Sequence, residues 1–129
     1  MTANFDKLHP TLVDAHKRIV DIFTTLGFDA VAVEAVRTFD QQAALYAEGR
    51  TMPGPIVTNA PAGQGPHEVK ADGWGHAIDY GFWDHAHPER GLWHVAHPWP
   101  LLGALARQLG LKWGGDFHSF KGDLGHVEL

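Results

Sequence analysis

The sequence predicts an α+β fold, a small antiparallel sheet with helices covering one of its faces. Three observations predict it. Two segments repeat apolar residues at helical spacing, Leu12 to Leu26 and Leu101 to Leu109. Two others, Phe28 to Val36 and Ala77 to Phe82, read as strands. Helices and strands are mixed without a regular βαβ rhythm, which separates the chain from the parallel α/β class.

Each element has its own signals. In the first helix Leu12, Val13, His16, Ile19, Val20, Phe23 and Leu26 recur on one side, Thr11 with Asp14 forms a capping box, and Gly27 stands at the stop. The first strand alternates with Val31, Val33 and Ala35 on one side. Thr38 with Gln41 forms a second capping box, opening a short helix through Glu48 that stops at Gly49. Arg50 to Pro66 is rich in Pro, Gly, Thr and Asn and reads as a long ordered loop. Asp84 to Pro98 is a His/Trp/Pro-rich excursion after the second strand. Trp99 to Leu109 is a second long helix, ended by Gly110. Leu111 to Phe120 mixes aromatics with Gly114-Gly115, and His126 to Leu129 closes the sheet as a final strand.

Composition narrows the function. The 129 residues contain no repeat, low-complexity stretch or linker, so the expectation is one domain spanning 1–129. There is no cysteine, which excludes a disulfide framework, thiolate metal sites and a cysteine nucleophile. Ten histidines point instead to metal or acid–base chemistry. A net charge of -5 argues against nucleic acid and against a polybasic membrane anchor. No apolar run approaches the roughly 20 residues of a membrane span. Met1 to His9 carries no signal-peptide pattern, so synthesis in the cytoplasm without a signal peptide is expected.

Three features carry chemistry. His67 is followed twelve residues later by Asp79, Asp123-Leu124-Gly125-His126 stands near the C-terminus, and Arg37-Thr38 ends the first strand. Catalytic zinc takes three His or Asp/Glu ligands and keeps a fourth position open. A carboxylate outside the ligand set then serves as general base, and an Arg stabilises developing negative charge or holds a substrate carboxylate. Asp123, three residues before His126 across a glycine bend, is placed for the base.

These residues resemble the LAS zinc metallopeptidases, and most closely the D-alanyl-D-alanine carboxypeptidase / L-alanyl-D-glutamate endopeptidase family, which includes phage endolysins. The family pattern is Arg-Ser/Thr, then S-x-H, A-x-D and D/E-x-x-H. It is matched in order by Arg37-Thr38, Gly65-Pro66-His67, Ala77-Ile78-Asp79 and Asp123-Leu124-Gly125-His126. The segments around Gly49 to Ala60 and Leu109 to Phe117 are also similar, so the resemblance runs from about Leu8 to the C-terminus.

The resemblance implies a hedgehog/DD-peptidase-like fold and a zinc ion held by His67, Asp79 and His126. It implies Asp123 as catalytic base, Arg37 as a contact to the substrate carbonyl or carboxylate, and Gln41 or Gln42 on the cleft wall. The implied substrate is the peptidoglycan stem peptide. The implied activity is endolysin-like L-alanyl-D-glutamate endopeptidase cleavage, in a monomer that acts on the cell wall after release. Two departures stand out. Gly65 replaces the family Ser, and the segment from His67 to Asp79 is longer than the compact form, which would put Asp72 at a ligand position. His67 is preferred because imidazole suits zinc better.

Other histidines are read as peripheral. Alternation along an extended 75–79 turns His76 away from Asp79. His85, His87, His94 and His97 have no third ligand patterned around them and belong to a loop or rim. Trp93 and Trp99, in the irregular stretch, are the tryptophans expected to face substrate. Within the class the alternative is a D-Ala-D-Ala carboxypeptidase or dipeptidase. In another class it is a non-catalytic zinc-binding recognition module, against which Asp123 and Arg37 both argue.

Overall fold

The computed structural model describes residues 3–117 and 123–129. Met1, and the end of the aromatic stretch at Phe120, lie outside the described residues. Its elements are α1 (Pro10–Thr25), β1 (Phe28–Glu34), α2 (Phe39–Ala47), β2 (Ala77–Asp84), α3 (Trp99–Gln108), β3 (Lys112–Trp113) and β4 (His126–Glu128). The strands form one sheet in the order β1-β2-β4-β3, with every pairing antiparallel. The α+β expectation holds.

One face of the sheet is apolar and covered by helices. Ile78, Tyr80 and Phe82 alternate along β2 into a core with Leu12, Ile19 and Phe23 of α1 and Leu102, Leu105 and Ala106 of α3. Burying one Leu, Ile or Phe side chain stabilises by about 1.5–3 kcal/mol, so this layer fixes the register of β2. Register decides function here, because Asp79 lies between Ile78 and Tyr80 and so faces the other side.

Two sequence expectations need correction. The start of α1 is not capped by Thr11. Pro10 is its first residue, and the His9 ring accepts from the Thr11 N–H at 3.1 Å. Pro has a preset φ and no N–H to satisfy, so the helix begins two residues earlier than a Thr11 cap would set it. In β1 the core-facing side is Phe28, Ala30 and Ala32 rather than Val31 and Val33. A bulge between Ala32 and Glu34 then shifts the pairing, so that Glu34 rather than Val33 lies opposite Asp79. Beyond the bulge Ala35 is buried, as expected.

The capping box of α2 is present, with Gln41 N–H to Thr38 Oγ1 at 3.1 Å and Thr38 N–H to Gln41 Oε1 at 2.8 Å. The 84–98 excursion contains a short 3-10 turn, Pro88–Arg90, and returns to the sheet where Leu92 accepts from the Phe82 N–H at 3.0 Å. Strand β3, only two residues long, carries no alternation to read. Among the described residues no helix is long and apolar enough to cross a membrane.

Candidate metal centre

One row across the sheet builds the floor of the site. Glu34 of β1, Asp79 of β2 and His126 of β4 stand at paired positions, so their side chains share a face. His67 comes from outside the sheet. The segment at His67 runs parallel to the end of β1, with the Arg37 N–H donating to the His67 carbonyl at 3.0 Å. The long spacer between His67 and Asp79 is absorbed by a turn. Lys70 N–H donates to Trp74 at 2.8 Å, and His76 N–H returns to Pro66 at 2.9 Å, which brings β2 back beside His67.

His67, Asp79 and His126 therefore meet, each offering a ligand atom, with all three atoms within 4.8 Å of one another. His67 Nε2 is 3.2 Å from Asp79 Oδ2, and His126 Nδ1 is 2.9 Å from Asp79 Oδ1. Both imidazoles are buried. Each is also held at its other ring nitrogen: His67 Nδ1 by the Ala35 carbonyl at 2.6 Å, His126 Nε2 by Glu128 Oε1, from a side chain that also lines the cleft, at 3.0 Å. The donor set fits a zinc ion. It has two imidazoles and one carboxylate, and the ring nitrogens facing Asp79 are those not tied to an outer acceptor.

Asp72, the ligand that the compact spacing would use, is elsewhere. It bonds His76 Nε2 at 2.8 Å and the Trp74 N–H at 3.0 Å. His76 is turned away with it, edge-on to His9. His85 pairs with Asp29 at 3.1 Å. Neither these histidines nor His87, His94 and His97 line the cleft.

Charges in the cluster balance one another. Burial pushes the Asp79 carboxyl up, but hydrogen bonds from His126 and His67 overcome it and hold the group far below its usual range. Burial pushes the His126 imidazole down, and its bonds to Asp79 and Glu128 overcome that and lift it to about 9. Asp123 is raised above the ordinary carboxylate value, by desolvation in the cleft wall and by the neighbouring Asp79 charge. Its Oδ2 lies 3.8 Å from His126 Nδ1, and its side chain is 59% exposed to incoming solvent.

Two close approaches fix Asp123. The Asp123 N–H donates to the Gly114 carbonyl at 3.1 Å, and a Cβ on Gly114 would stand 2.1 Å from the Asp123 carbonyl oxygen. At the other end of the turn, Gly125 lies where a Cβ would meet the Tyr80 carbonyl at 2.3 Å. Only glycine lets the backbone come this near on both sides.

Arg37 stands on the opposite wall. It pairs with Glu34 through Nε and Nη2, donates from Nη1 to Gln42 Oε1 at 3.0 Å, and reaches Asp79 Oδ2 at 3.5 Å. Gln42 is fully buried and also donates to the Ala60 carbonyl at 2.8 Å, tying α2 to the loop that walls the cleft. Gly65 makes room for it, since a Cβ there would meet Gln42 Cδ at 2.8 Å. The place of the family Ser is thus occupied by a neighbour's amide.

The cleft measures about 420 Å³, and Arg37, Gln42, His67, Asp79, Asp123 and His126 all line it. The structure does not bring Gln41 or Trp93 there. Gln41 is spent on the α2 cap and lines a different hollow. Trp93 stacks on buried Trp99 with its ring plane 8° off parallel, beside Gly125 and outside the cleft lining. Sequence reasoning missed Glu34 and Glu128. The bulge hides Glu34. Glu128, two residues past His126 on one strand, was open to the same alternation argument.

No family model matches the chain. The peptidoglycan L-alanyl-D-glutamate endopeptidase CwlK of Bacillus subtilis (strain 168) is 32% identical over 95% of this chain and 73% of that protein. The crystal structure of Serratia marcescens L-Ala D-Glu endopeptidase ChiX superposes with a TM-score of 0.58, covering 98% of this chain and 83% of that one. At 19% identity that likeness speaks for the fold. With the ordered motifs on one cleft and a curated relative matched over nearly all of this chain, the chain belongs to the peptidoglycan L-alanyl-D-glutamate endopeptidase family.

Proposed function

We propose that this protein is a zinc-dependent peptidoglycan endopeptidase that hydrolyses the L-Ala–D-Glu bond of the stem peptide. The observation that carries this is the convergence of His67, Asp79 and His126 in one cleft that Asp123 and Arg37 also line, in a chain 32% identical to an enzyme named for that reaction. Zinc held by the three residues supplies Lewis acidity, polarising the scissile carbonyl and making water a better nucleophile at neutral pH.

The chain's own groups do the rest. Asp123 accepts a proton from the water as its oxygen bonds to the carbonyl carbon. It then passes that proton to the amide nitrogen as the C–N bond breaks, releasing a carboxylate and an amine. Its place in the cleft wall, 3.8 Å from His126 Nδ1, lets it serve both halves of this transfer. Arg37, braced by Glu34 and Gln42, is a fixed positive charge for the carbonyl oxygen or a substrate carboxylate. Because its position is set before substrate arrives, little reorganisation is needed during the reaction.

Asp123→Asn tests the assignment. Hydrolysis of a synthetic stem peptide is expected to fall by about 10²–10⁴-fold with one zinc per chain retained. Undiminished turnover in a zinc-loaded Asp123→Asn protein would remove Asp123 as base.

A further inference from the structure

We infer that Glu128 is a positioning residue of this centre: it holds the His126 ring so that Nδ1, and not Nε2, is the atom presented to a metal ion. The inference rests on the metal-site reading above. β4 places Glu128 on the same face as His126, two residues further along, opposite Ala77. Its Oε1 lies 3.0 Å from His126 Nε2, while His126 Nδ1 faces Asp79 at 2.9 Å. An ionised carboxylate can only accept, so the nitrogen facing it carries hydrogen. When a metal ion replaces the proton on the other nitrogen, the lone pair that binds it is on Nδ1.

His67 is held the opposite way. Its Nδ1–H donates to the Ala35 carbonyl, which leaves Nε2 toward Asp79. The two histidines thus offer different ring nitrogens to one point, and the anchors differ in kind. The hold on His67 is backbone, which no side-chain substitution removes. The hold on His126 is a side chain, which one substitution does remove. Glu128 is therefore where the affinity of the centre can be altered without touching a ligand or Asp123.

The test is zinc affinity by chelator competition for the unaltered protein, Glu128→Gln and Glu128→Ala, with long-range 1H–15N spectra of the zinc-loaded unaltered protein. Loss of such an outer partner typically weakens metal binding by about 10–100-fold, and that range is expected for Glu128→Ala. Glu128→Gln keeps an oxygen that accepts from Nε2–H, so most of the affinity should return. The spectra should show His126 protonated at Nε2. Equal zinc affinity in Glu128→Ala, or a His126 proton on Nδ1, overturns the role of Glu128 alone. The spectral result needs no variant, so a poorly folding Glu128→Ala does not shelter the inference. Failure of the unaltered protein to bind zinc overturns the metal-site reading itself, and this inference with it.

Discussion

Gly114→Ala is a mutation outside the proposed ligand set that should disable the enzyme without costing it zinc binding. The added methyl would stand 2.1 Å from the Asp123 carbonyl oxygen and 2.9 Å from its Cβ. Carbon–oxygen contacts settle near about 3.3 Å, so one side must move by roughly 1.2 Å. Gly114 is anchored between Trp113, whose Nε1–H donates to the Leu124 carbonyl at 2.7 Å, and the Gly115–Asp116 turn. The same bond ties Leu124, next to Asp123, so the added methyl presses directly on the turn that carries Asp123. A displacement of about 1 Å costs a positioned catalytic group roughly 10²-fold, or about 2.7 kcal/mol of barrier. Overpacking costs a further 1–3 kcal/mol or so in stability. The assay is kcat/KM on a stem peptide, alongside zinc stoichiometry and a thermal melt. About 10²-fold lower kcat/KM, a lowered Tm and one zinc per chain are expected. A folded, zinc-loaded Gly114→Ala with unchanged kcat/KM would refute the placement of Asp123 by this contact.

Gln42→Ala leaves Arg37 Nη1 and the Ala60 carbonyl without their partner. It should cost about 1–3 kcal/mol in denaturant unfolding and raise KM. Gly65→Ser should harm the same site by pressing on the Gln42 amide. Truncating Gln42 relieves that clash, so Gly65→Ser combined with Gln42→Ala should be better than the sum of the two singles, and strict additivity in a double-mutant cycle would contradict it. In metal-free protein the His126 pKa, raised to about 9, contributes stability that is fully present below the unfolded value near 6.5 and lost as pH rises through 9. His16, lowered by burial, acts in the opposite sense, but that contribution is lost only as pH falls below about 6.5. Denaturant unfolding of metal-free protein at pH 7 and pH 9.5 should therefore show lower stability at the higher pH, and a flat profile would contradict the Asp79–His126–Glu128 arrangement.

What was legible in the sequence follows physical lines. Apolar periodicity placed α1, α3 and β2 because burial enforces it residue by residue, and the Thr38–Gln41 box located α2 because a cap is local chemistry. The motif order singles out three candidate ligands, and the structure gathers the same three side chains. What stayed hidden depended on geometry between distant segments. The bulge that carries Glu34 opposite Asp79 leaves no mark in seven residues of β1. The choice between Gln41 and Gln42 was undecidable by motif. The cap claims one side chain, and burial against Gly65 claims the other. Trp93, expected from the irregular stretch to face substrate, is exposed but stacks on Trp99 outside the cleft lining.

The bond that is cut separates an endopeptidase from a carboxypeptidase. Purified peptidoglycan digested with zinc-loaded protein, beside chelated protein and Asp123→Asn, should yield fragments with new L-Ala C-termini and D-Glu N-termini by mass spectrometry, from the unaltered zinc-loaded sample only. Release of free D-Ala in place of those termini would contradict the endopeptidase account and point to a carboxypeptidase. Absence of any zinc-dependent product, from a protein that binds one zinc, would contradict catalysis altogether.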